Sequence, residues 1–476
     1  MPNFLLLAPE LFLAVMATQL LGLGIGGKSD RADLVRNIAI GVLLIYAFLG
    51  FITGFPTGTA LKGALVYDMF GHYAKCLIGL TAIGALLLAK SFFKLEGLDK
   101  YEYSVLLLYA VLGMSIMVSS NTLLTLYIGV EMQALALYVM AAFNRDSLRA
   151  SEAGLKYFVL GALSSGLLLY GISLVYGFTG SITFAGIAAS IEGGVTSGVI
   201  TGMVFMLCGL GFKISAAPFH MWTPDVYEGA PTPVTGFFAS VPKLAAMVLI
   251  ARLVSEPFGG MTGEWQQVII VLAVMSMFVG AIGALVQTNI KRLMAYSSIA
   301  NMGYALVPLA VGGVDGVRGM LVFMTIYVIT SIGVFACILK MRIRNGMVES
   351  ISDLAGLSRS NTGFAVIFTL FMFSLMGIPP FLGFFGKWFA FAPAFYAGLE
   401  WLVVLALIAS VIGAFYYLRV VKVMWGDAPE NEFVEAPLSL RGLSVLSALV
   451  IFPFAILPFL AIPAQSWIAQ AAQSLF

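Results

Sequence analysis

The sequence predicts an all-α, polytopic membrane protein of about fourteen transmembrane helices. Hydrophobic residues make up 61% of the chain and charged residues only 10%, whereas a soluble domain carries roughly 25% charged residues. Apolar runs of about 20 residues, each long enough to cross a ~30 Å hydrocarbon core, recur from one end of the chain to the other. Lysine and arginine are concentrated in alternate connections between these runs. Most of the molecular surface is therefore expected to face lipid.

The predicted spans follow one another with short connections. Only the connections at 344–360 and 426–437 are longer, and neither is long or polar enough to fold as a soluble domain. The N-terminal segment lacks the basic region of a signal peptide, so we expect it to be retained as the first span. Residues 1–476 thus form a single transmembrane domain, with spans near 4–24, 35–54, 73–93, 103–120, 122–143, 155–178, 197–222, 233–254, 265–288, 292–312, 316–340, 362–394, 399–424 and 441–467.

The distribution of lysine and arginine orients the spans. Connections after even-numbered spans carry only Lys62, Arg252 and Arg318, and Lys75 lies ambiguously at a span edge. Basic connections remain in the cytoplasm, so both termini are predicted on the periplasmic side of a bacterial cytoplasmic (inner) membrane. The sixteen basic residues of the cytoplasmic side are Lys28, Arg31, Arg36, Lys94, Lys100, Arg145, Arg149, Lys291, Arg292, Lys340, Arg342, Arg344, Arg359, Arg419, Lys422 and Arg441.

Composition argues against nucleic acid and against cofactors held by this chain. The net charge is +2 and no basic tract occurs, so lipid and not nucleic acid is the expected partner. Cys76, Cys208 and Cys337 are far apart and form no CxxC pair, which gives no support for a disulfide, a zinc site or an iron–sulfur cluster. The two histidines, His72 and His220, give no basis for a bis-histidine haem.

Several charged residues lie inside predicted spans, the deepest being Glu131, Lys213, Lys243 and Lys387. A charge at the membrane centre costs roughly 2.5–3.5 kcal/mol on insertion scales, and such residues usually mark ion or proton routes. Lys156 lies nearer to a span end, where a surface pair with Glu152, one helical turn earlier, is the alternative interpretation.

These residue types can transfer protons. A lysine in a low-dielectric site binds its proton more weakly, and a neighbouring carboxylate strengthens that binding. A Glu–Lys pair followed by further lysines is therefore a switchable relay, in which the geometry of the pair decides whether the next lysine keeps its proton.

Two spans are interrupted by proline. Pro218 follows Lys213 in the seventh span, and Pro379 and Pro380 precede Lys387 in the twelfth. Proline removes a helical hydrogen bond four residues back, so we expect free carbonyls at Ile214 and, in the twelfth span, at Leu375 and Met376.

The two broken spans are five spans apart, and repeats of five helices must insert in opposite orientations. The predicted organisation is spans 1–3 in residues 1–100, two inverted five-helix repeats in 103–255 and 265–426, and span 14 in 440–468. Interrupted helices at matching positions of two halves indicate a transport site near the bilayer midplane. Ordinary proline kinks are the alternative.

Three stretches resemble the antiporter-like subunits of proton-pumping NADH:quinone oxidoreductase (complex I). They are "GFKISAAPFHMWTPDVYEGAPTPVTGFFASVPK" (211–243), "IKRLMAYSSIANMGY" (290–304) and "GIPPFLGFFGKW" (377–388), and the resemblance extends over essentially the whole chain. It is strongest to the N branch, which includes mitochondrial subunit 2. The chain lacks the long lateral-helix extension of the L branch, and Lys387 stands where the M branch typically has glutamate.

The resemblance implies roles for individual residues. Glu131 and Lys213 would form a modulating pair, Lys156 and Lys243 would continue a central hydrophilic axis, and Lys387 would be the terminal exchange site. His220 matches the "HxWxPD" segment after the broken span and would support the loop or a water path. Asn301 stands where several family members have histidine, so a hydrogen-bonding, water-holding role is expected there.

The function implied by the resemblance is that of a proton-translocating membrane subunit of a respiratory oxidoreductase. Flavin, iron–sulfur clusters and quinone would be bound in or near other subunits, and the M and K membrane subunits would be neighbours. Three alternatives stay open: a subunit of a multi-subunit cation/proton antiporter, the equivalent subunit of a ferredoxin-type complex, and a purely structural scaffold.

Overall fold

A computed structural model describes residues 5–25, 31–452 and 457–476. The structure is mostly helical, with 77% of its residues in helices. The helices are α1 (Ala8–Ile25), α2 (Ala32–Ile52), α3 (Met69–Leu95), α4 (Glu102–Val118), α5 (Leu123–Ala141), α6 (Leu148–Thr179), α7 (Phe184–Glu192), α8 (Ser197–Lys213), α9 (Trp222–Gly229), α10 (Thr232–Ser255), α11 (Thr262–Leu285), α12 (Ile290–Leu309), α13 (Gly313–Ile338), α14 (Leu357–Ser360), α15 (Thr362–Met376), α16 (Leu382–Tyr396), α17 (Glu400–Gly426), α18 (Leu438–Ile451) and α19 (Leu457–Gln473).

Two small antiparallel hairpins add strands that the all-α prediction did not include. The first pairs β1 (Gly58–Ala60) with β2 (Leu65–Tyr67), and the second pairs β3 (Arg342–Ile343) with β4 (Gly346–Met347). Both lie in connections between long helices. Such short strands have too little alternating pattern to be recognised in a sequence.

Long apolar helices dominate the bundle. Within the described ranges, nine helices are long and apolar enough to cross a membrane, and four shorter apolar helices accompany them. Their positions coincide with predicted spans, although the count of fourteen crossings stays a prediction. Phe4 at the start of the first predicted span and Lys28 in the first basic connection lie outside the described residues.

Helix α10 is the centre of the molecule. Its most apolar segment is completely buried, whereas only 39% of the corresponding segment is buried in α2, α6 and α17. It packs against α3, α4, α8 and α13, so it is surrounded by protein along its whole length. The outer helices instead present large apolar side chains at the surface, including Leu163, Val411 and Phe415, as lipid contact requires.

The two broken spans differ from the prediction in where the helix ends. In the seventh span α8 already ends at Lys213, and Ser215 has a left-handed φ of 62°. The break therefore begins at the lysine, and Pro218 lies within a non-helical connection that leads to α9. In the twelfth span α15 ends at Met376, Gly377 has a left-handed φ of 85°, and α16 begins only at Leu382, after both prolines.

The predicted fourteenth span also differs. Two helices, α18 and α19, cover this region, and residues 453–456 between them lie outside the described part of the chain. At its far end α19 packs on α3, where the backbone N–H of Phe70 donates to Ser474 Oγ at 2.9 Å.

Candidate functional site

Lys213 is placed by the end of helix α8. It is the last residue of that helix, and only 6% of its surface is exposed. The carboxyl end of a helix carries a partial negative charge, which favours a cation in the last turn. The neighbouring carbonyl of Phe212 accepts a hydrogen bond from Trp222 Nε1 at 3.1 Å, so α9 caps the broken end of α8.

Glu131 and Lys213 are connected through a third residue. The hydroxyl of Ser165 on α6 donates to Glu131 Oε1 and accepts from Lys213 Nζ at 3.5 Å. No direct ion pair within 4.0 Å joins the carboxylate and the ammonium in the described structure. Ser165 is not among the residues predicted from the sequence. Its only signal is the pair Ser164–Ser165 inside an apolar span, which is a weak one because serines are common in membrane helices.

Lys213, Lys243 and Lys387 form the set of core lysines, and Lys243 is the most deeply buried of the three. It lies in the middle of α10 and is 1% exposed. Its Nζ donates to Ser298 Oγ at 2.5 Å, and that hydroxyl contacts the hydroxyl of Tyr327 at 2.6 Å. The three groups form a continuous hydrogen-bonded chain from α10 through α12 to α13.

Lys387 reaches back to the carboxyl end of the preceding half-helix. Its Nζ donates to the carbonyl of Met376 at 2.8 Å and to Ser410 Oγ at 2.7 Å. Met376 is the last residue of α15, so one of the two carbonyls expected to be freed in this span is bonded by the lysine. In the sequence, Lys213 comes before its break and Lys387 comes after its break. The amine of each lysine nevertheless lies at the carboxyl end of the half-helix that precedes the break.

A small cavity connects the Lys243 chain with Lys387. It has a volume of about 20 Å³, and its lining includes Tyr327, Asn301 and Lys387. A space of this size holds roughly one water molecule. Asn301 is 4% exposed and donates to the carbonyl of Ser297, one turn earlier in α12, at 2.8 Å.

Lys156 lies apart from the core lysines, in a network of surface ion pairs. Its side chain is 42% exposed, and its Nζ contacts Glu152 at 2.8 Å and Asp225 at 2.7 Å. The surface pair with Glu152, considered as the alternative, is therefore present. Asp225 also pairs with Arg292 at 2.7 Å. Burial opposes ionisation of Asp225, but hydrogen bonds from Lys156 and Arg292 outweigh it and hold the pKa of this carboxyl below its usual value.

The remaining predicted site residues lie in the two breaks. Pro218 is exposed, His220 is half-buried, and Pro379 and Pro380 stand between α15 and α16. The His220 Nδ1 atom is buried.

Two further buried charge clusters were not recognised in the sequence. Lys75 is 3% exposed and forms an ion pair with Glu10 at 2.7 Å. Arg252 was assigned to a connection but is fully buried in the last turn of α10, where it contacts Asp68 at 2.8 Å. The interruption of an apolar run by Glu10 was the available signal. Its partner is 65 residues away in the chain, and sequence spacing alone does not reveal such a pair.

The chain is similar to membrane subunits of NADH-quinone oxidoreductase. The family model described as "NADH:quinone oxidoreductase/Mrp antiporter, TM" matches residues 120–413. The NADH-quinone oxidoreductase subunit N of Maricaulis maris is 53% identical over 471 residues, which cover 99% of this chain and 97% of the relative.

Solved structures share the fold. A chain of respiratory complex I from Thermus thermophilus is 32% identical, with a TM-score of 0.83 over 96% of this chain and 99% of that one. A chain of the Mrp complex from Dietzia sp. is 21% identical, with a TM-score of 0.87 over 98% of this chain and 97% of that one, and this likeness shows the fold alone. The chain belongs to the NADH:quinone oxidoreductase/Mrp antiporter transmembrane family, among the subunit N proteins of NADH-quinone oxidoreductase.

Proposed function

We propose that this chain, an antiporter-like membrane subunit of NADH-quinone oxidoreductase, moves protons across the bacterial inner membrane through Glu131, Lys213, Lys243 and Lys387. One observation carries the proposal. The three lysines are 6%, 1% and 9% exposed, and their hydrogen-bond partners are hydroxyl groups and a carbonyl. A buried ammonium without a bonded carboxylate is costly, and charged residues at membrane depth usually mark ion or proton routes.

The first part of the relay is the group Glu131–Ser165–Lys213. A hydroxyl can donate and accept at the same time, so Ser165 can pass a proton from Lys213 Nζ to Glu131 Oε1 by accepting one proton and releasing its own. The carboxylate then becomes neutral and the amine becomes neutral. Loss of the negative charge at Glu131 weakens proton binding at Lys213 further, as a switch requires.

The second part runs from Lys243 to Lys387. The hydroxyls of Ser298 and Tyr327 lead from Lys243 towards the cavity that Lys387 also lines. A water in that cavity would complete the path. Buried hydroxyls of Ser215 and Thr223, which lack partners within the described ranges, lie after the end of α8 and in α9. Buried polar groups normally bond to protein or water, so this region can also hold water.

The repeat and the topology belong to the same proposal. The chain would cross the membrane fourteen times, with inverted repeats in 103–255 and 265–426 and both termini in the periplasm. The packing supports a repeat, because α4 lies along α5 as α11 lies along α12. The two broken spans also end their first half-helix beside a buried amine. Lys156 would serve the relay from the edge of the bundle.

Redox chemistry would take place in other subunits. The sequence offers no CxxC pair or dinucleotide motif for a cluster or flavin, so the electron carriers and quinone are proposed to lie outside this chain. The M and K subunits are proposed as the neighbours through which this chain is coupled to them.

The test is proton pumping by an assembled complex that carries Lys213→Ala or Glu131→Ala. We expect both variants to assemble and to show reduced NADH-driven acidification of inside-out vesicles, because the first relay group is lost. Lys100→Ala is the matched control, since that side chain is exposed and lies outside the helices. Wild-type pumping by fully assembled Lys213→Ala complex would contradict the relay.

A further inference from the structure

One polar cavity lies outside the core lysine path. Its volume is about 130 Å³, and five charged residues line it: Arg149, Glu152, Lys156, Asp225 and Glu228. That volume holds several water molecules. The charged groups are paired with one another, as in the contacts of Lys156 with Asp225 at 2.7 Å and of Arg149 with Glu228 at 2.6 Å. Arginines of this cluster belong to the connections predicted to be cytoplasmic.

A layer of stacked aromatic rings separates this cavity from Lys213. Tyr157, the residue after Lys156, stacks on Trp222 with a centroid distance of 4.3 Å and an interplanar angle of 10°. Trp222 in turn lies 5.4 Å from the ring of Phe212, and Lys213 Nζ lies 5.8 Å from the centroid of that ring. Tyr157 and Trp222 are 5% and 2% exposed. The contacts that lead from Lys156 beside the cavity to the Lys213 amine therefore run through closely packed rings.

A short helix joins the Trp222 ring to the charged cavity. Trp222 begins α9, and Asp225 and Glu228 lie one and two turns later in the same helix. These two carboxylates are held by Lys156, Arg292 and Arg149. Trp222 and both carboxylates belong to one helix of eight residues. A rearrangement of the ion pairs that moves α9 therefore also moves the Trp222 ring.

We propose that the charged cavity is the aqueous cytoplasmic mouth of the relay and that the Tyr157–Trp222 stack is the gate between this mouth and Lys213. The inference rests on the proposed function and assigns Lys156 a place in it. Lys156 holds the carboxylates of Glu152 and Asp225 in place at the mouth, while the buried amines carry protons onward. Tyr157 and Trp222 act as positioning residues, since neither exchanges a proton with Lys213 in this arrangement.

Thiol labelling tests the mouth independently of pumping. In complex whose Cys76, Cys208 and Cys337 are replaced by alanine, Lys156→Cys should react with a membrane-impermeant, charged thiosulfonate in inside-out vesicles. Leu155→Cys is the matched control, because the preceding side chain is 63% exposed on the lipid-facing surface and should react far more slowly. Equal reaction at both positions, or reaction of Lys156→Cys only in right-side-out vesicles, would overturn the assignment of the mouth.

Opening the gate should expose the core. Ser165→Cys lies beyond the rings and should be unreactive alone, but should react when Trp222→Ala is added. Trp222→Ala should also accelerate passive dissipation of a pH gradient several-fold without NADH, whereas Trp222→Phe keeps a stacking ring and should not. An unreactive Ser165→Cys in the Trp222→Ala background would overturn the gate. If Lys213→Ala left pumping unchanged while labelling behaved as described, the proposed relay would fail and the mouth would stand.

Discussion

At the scale of single residues, the partner of each buried lysine separates two kinds of site. Lys75 and Lys291 contact carboxylates at 2.7 and 2.8 Å, so each belongs to a buried ion pair. Lys243 and Lys387 contact hydroxyls and a carbonyl instead. A neutral partner stabilises the charged form less. Lys340 is also buried and donates to the hydroxyl of Ser444, so burial with neutral partners narrows the candidate amines, and the hydrogen-bonded path to a neighbouring relay group separates them further.

Ser165→Ala should slow proton pumping while leaving the complex assembled. The change removes the only described hydrogen-bonded link between Glu131 and Lys213. Hydrogen bonds to charged groups contribute about 1.5–3 kcal/mol, which corresponds to a rate roughly tenfold lower or more if the link is used in the rate-limiting step. NADH-driven acidification of vesicles measures the effect.

The neighbouring serine supplies the control. Ser164 donates to the carbonyl of Gly209 at 2.9 Å and contacts neither relay residue through a hydrogen bond. Ser164→Ala should therefore pump at the wild-type rate, and Ser165→Thr, which restores a hydroxyl, should recover part of the loss. Equal rates for Ser164→Ala and Ser165→Ala would remove Ser165 from the relay.

The sequence predicts charged site residues better than their neutral partners. Lys213, Lys243 and Lys387 are conspicuous because a charge in an apolar run is costly. Ser298, Ser410 and Tyr327 are not, because hydroxyl residues are frequent in membrane helices, and every one of their bonds joins two different helices. Lys156 is a charged residue whose surroundings the sequence does not predict. Its position within an apolar segment does not show that its ammonium group reaches the surface, where the side chain is 42% exposed.

At the scale of helices, both breaks end a half-helix beside an amine. The carboxyl ends of α8 and α15 carry partial negative charge, and Lys213 and the Nζ of Lys387 lie at these ends. Proline in the sequence indicates that a helix stops, but it does not fix the residue. The end of α8 lies several residues before Pro218, since Trp222 and the left-handed Ser215 complete it.

Gly377→Ala tests the second break. Gly377 has a φ of 85°, and an added Cβ would lie 2.8 Å from the Cδ of Lys387. The left-handed conformation costs an alanine about 1–2 kcal/mol, and the contact must also displace the lysine from the Met376 carbonyl. We expect a lower unfolding temperature. We also expect a lower pumping rate per assembled complex, which reduced stability alone would not cause.

Gly398→Ala separates the two effects. Gly398 has a similar φ of 81°, but an added Cβ would meet no atom within 4 Å in the described structure. This variant should lose stability to a similar degree and keep its pumping rate per assembled complex. If Gly377→Ala also pumped normally per complex, close packing of Lys387 at the end of α15 would not matter for transport.

At the scale of the whole molecule, two buried ion pairs and their hydrogen bonds connect α1 and α3 with α4 and α10. Tyr67 and Ser115 donate to the carboxylate of Glu10 at 2.8 and 2.6 Å, and Lys75 completes its shell. These groups come from α1, β2, α3 and α4. Arg252 at the end of α10 also bonds Asp68, beside the start of α3, and the carbonyl of Val118 at 3.1 Å. The helix that carries Lys243 is thus fixed at one end by charges.

Lys75→Met should destabilise the assembled subunit strongly, because it leaves the Glu10 carboxylate buried without its cation. Removing one partner of a buried ion pair costs roughly 3–5 kcal/mol, whereas a neutral replacement of the whole pair is often tolerated. Glu10→Gln combined with Lys75→Met should therefore recover most of the loss, since the amide of Gln can still bond Tyr67 and Ser115. Thermal unfolding in detergent measures the stability of the wild type, the single variant and the double variant.

Lys94→Met is the control, because the Lys94 side chain is 58% exposed in its pair with Asp33 and exposed pairs contribute little to stability. A double variant no more stable than Lys75→Met alone would show that the lysine acts through packing and not through its charge.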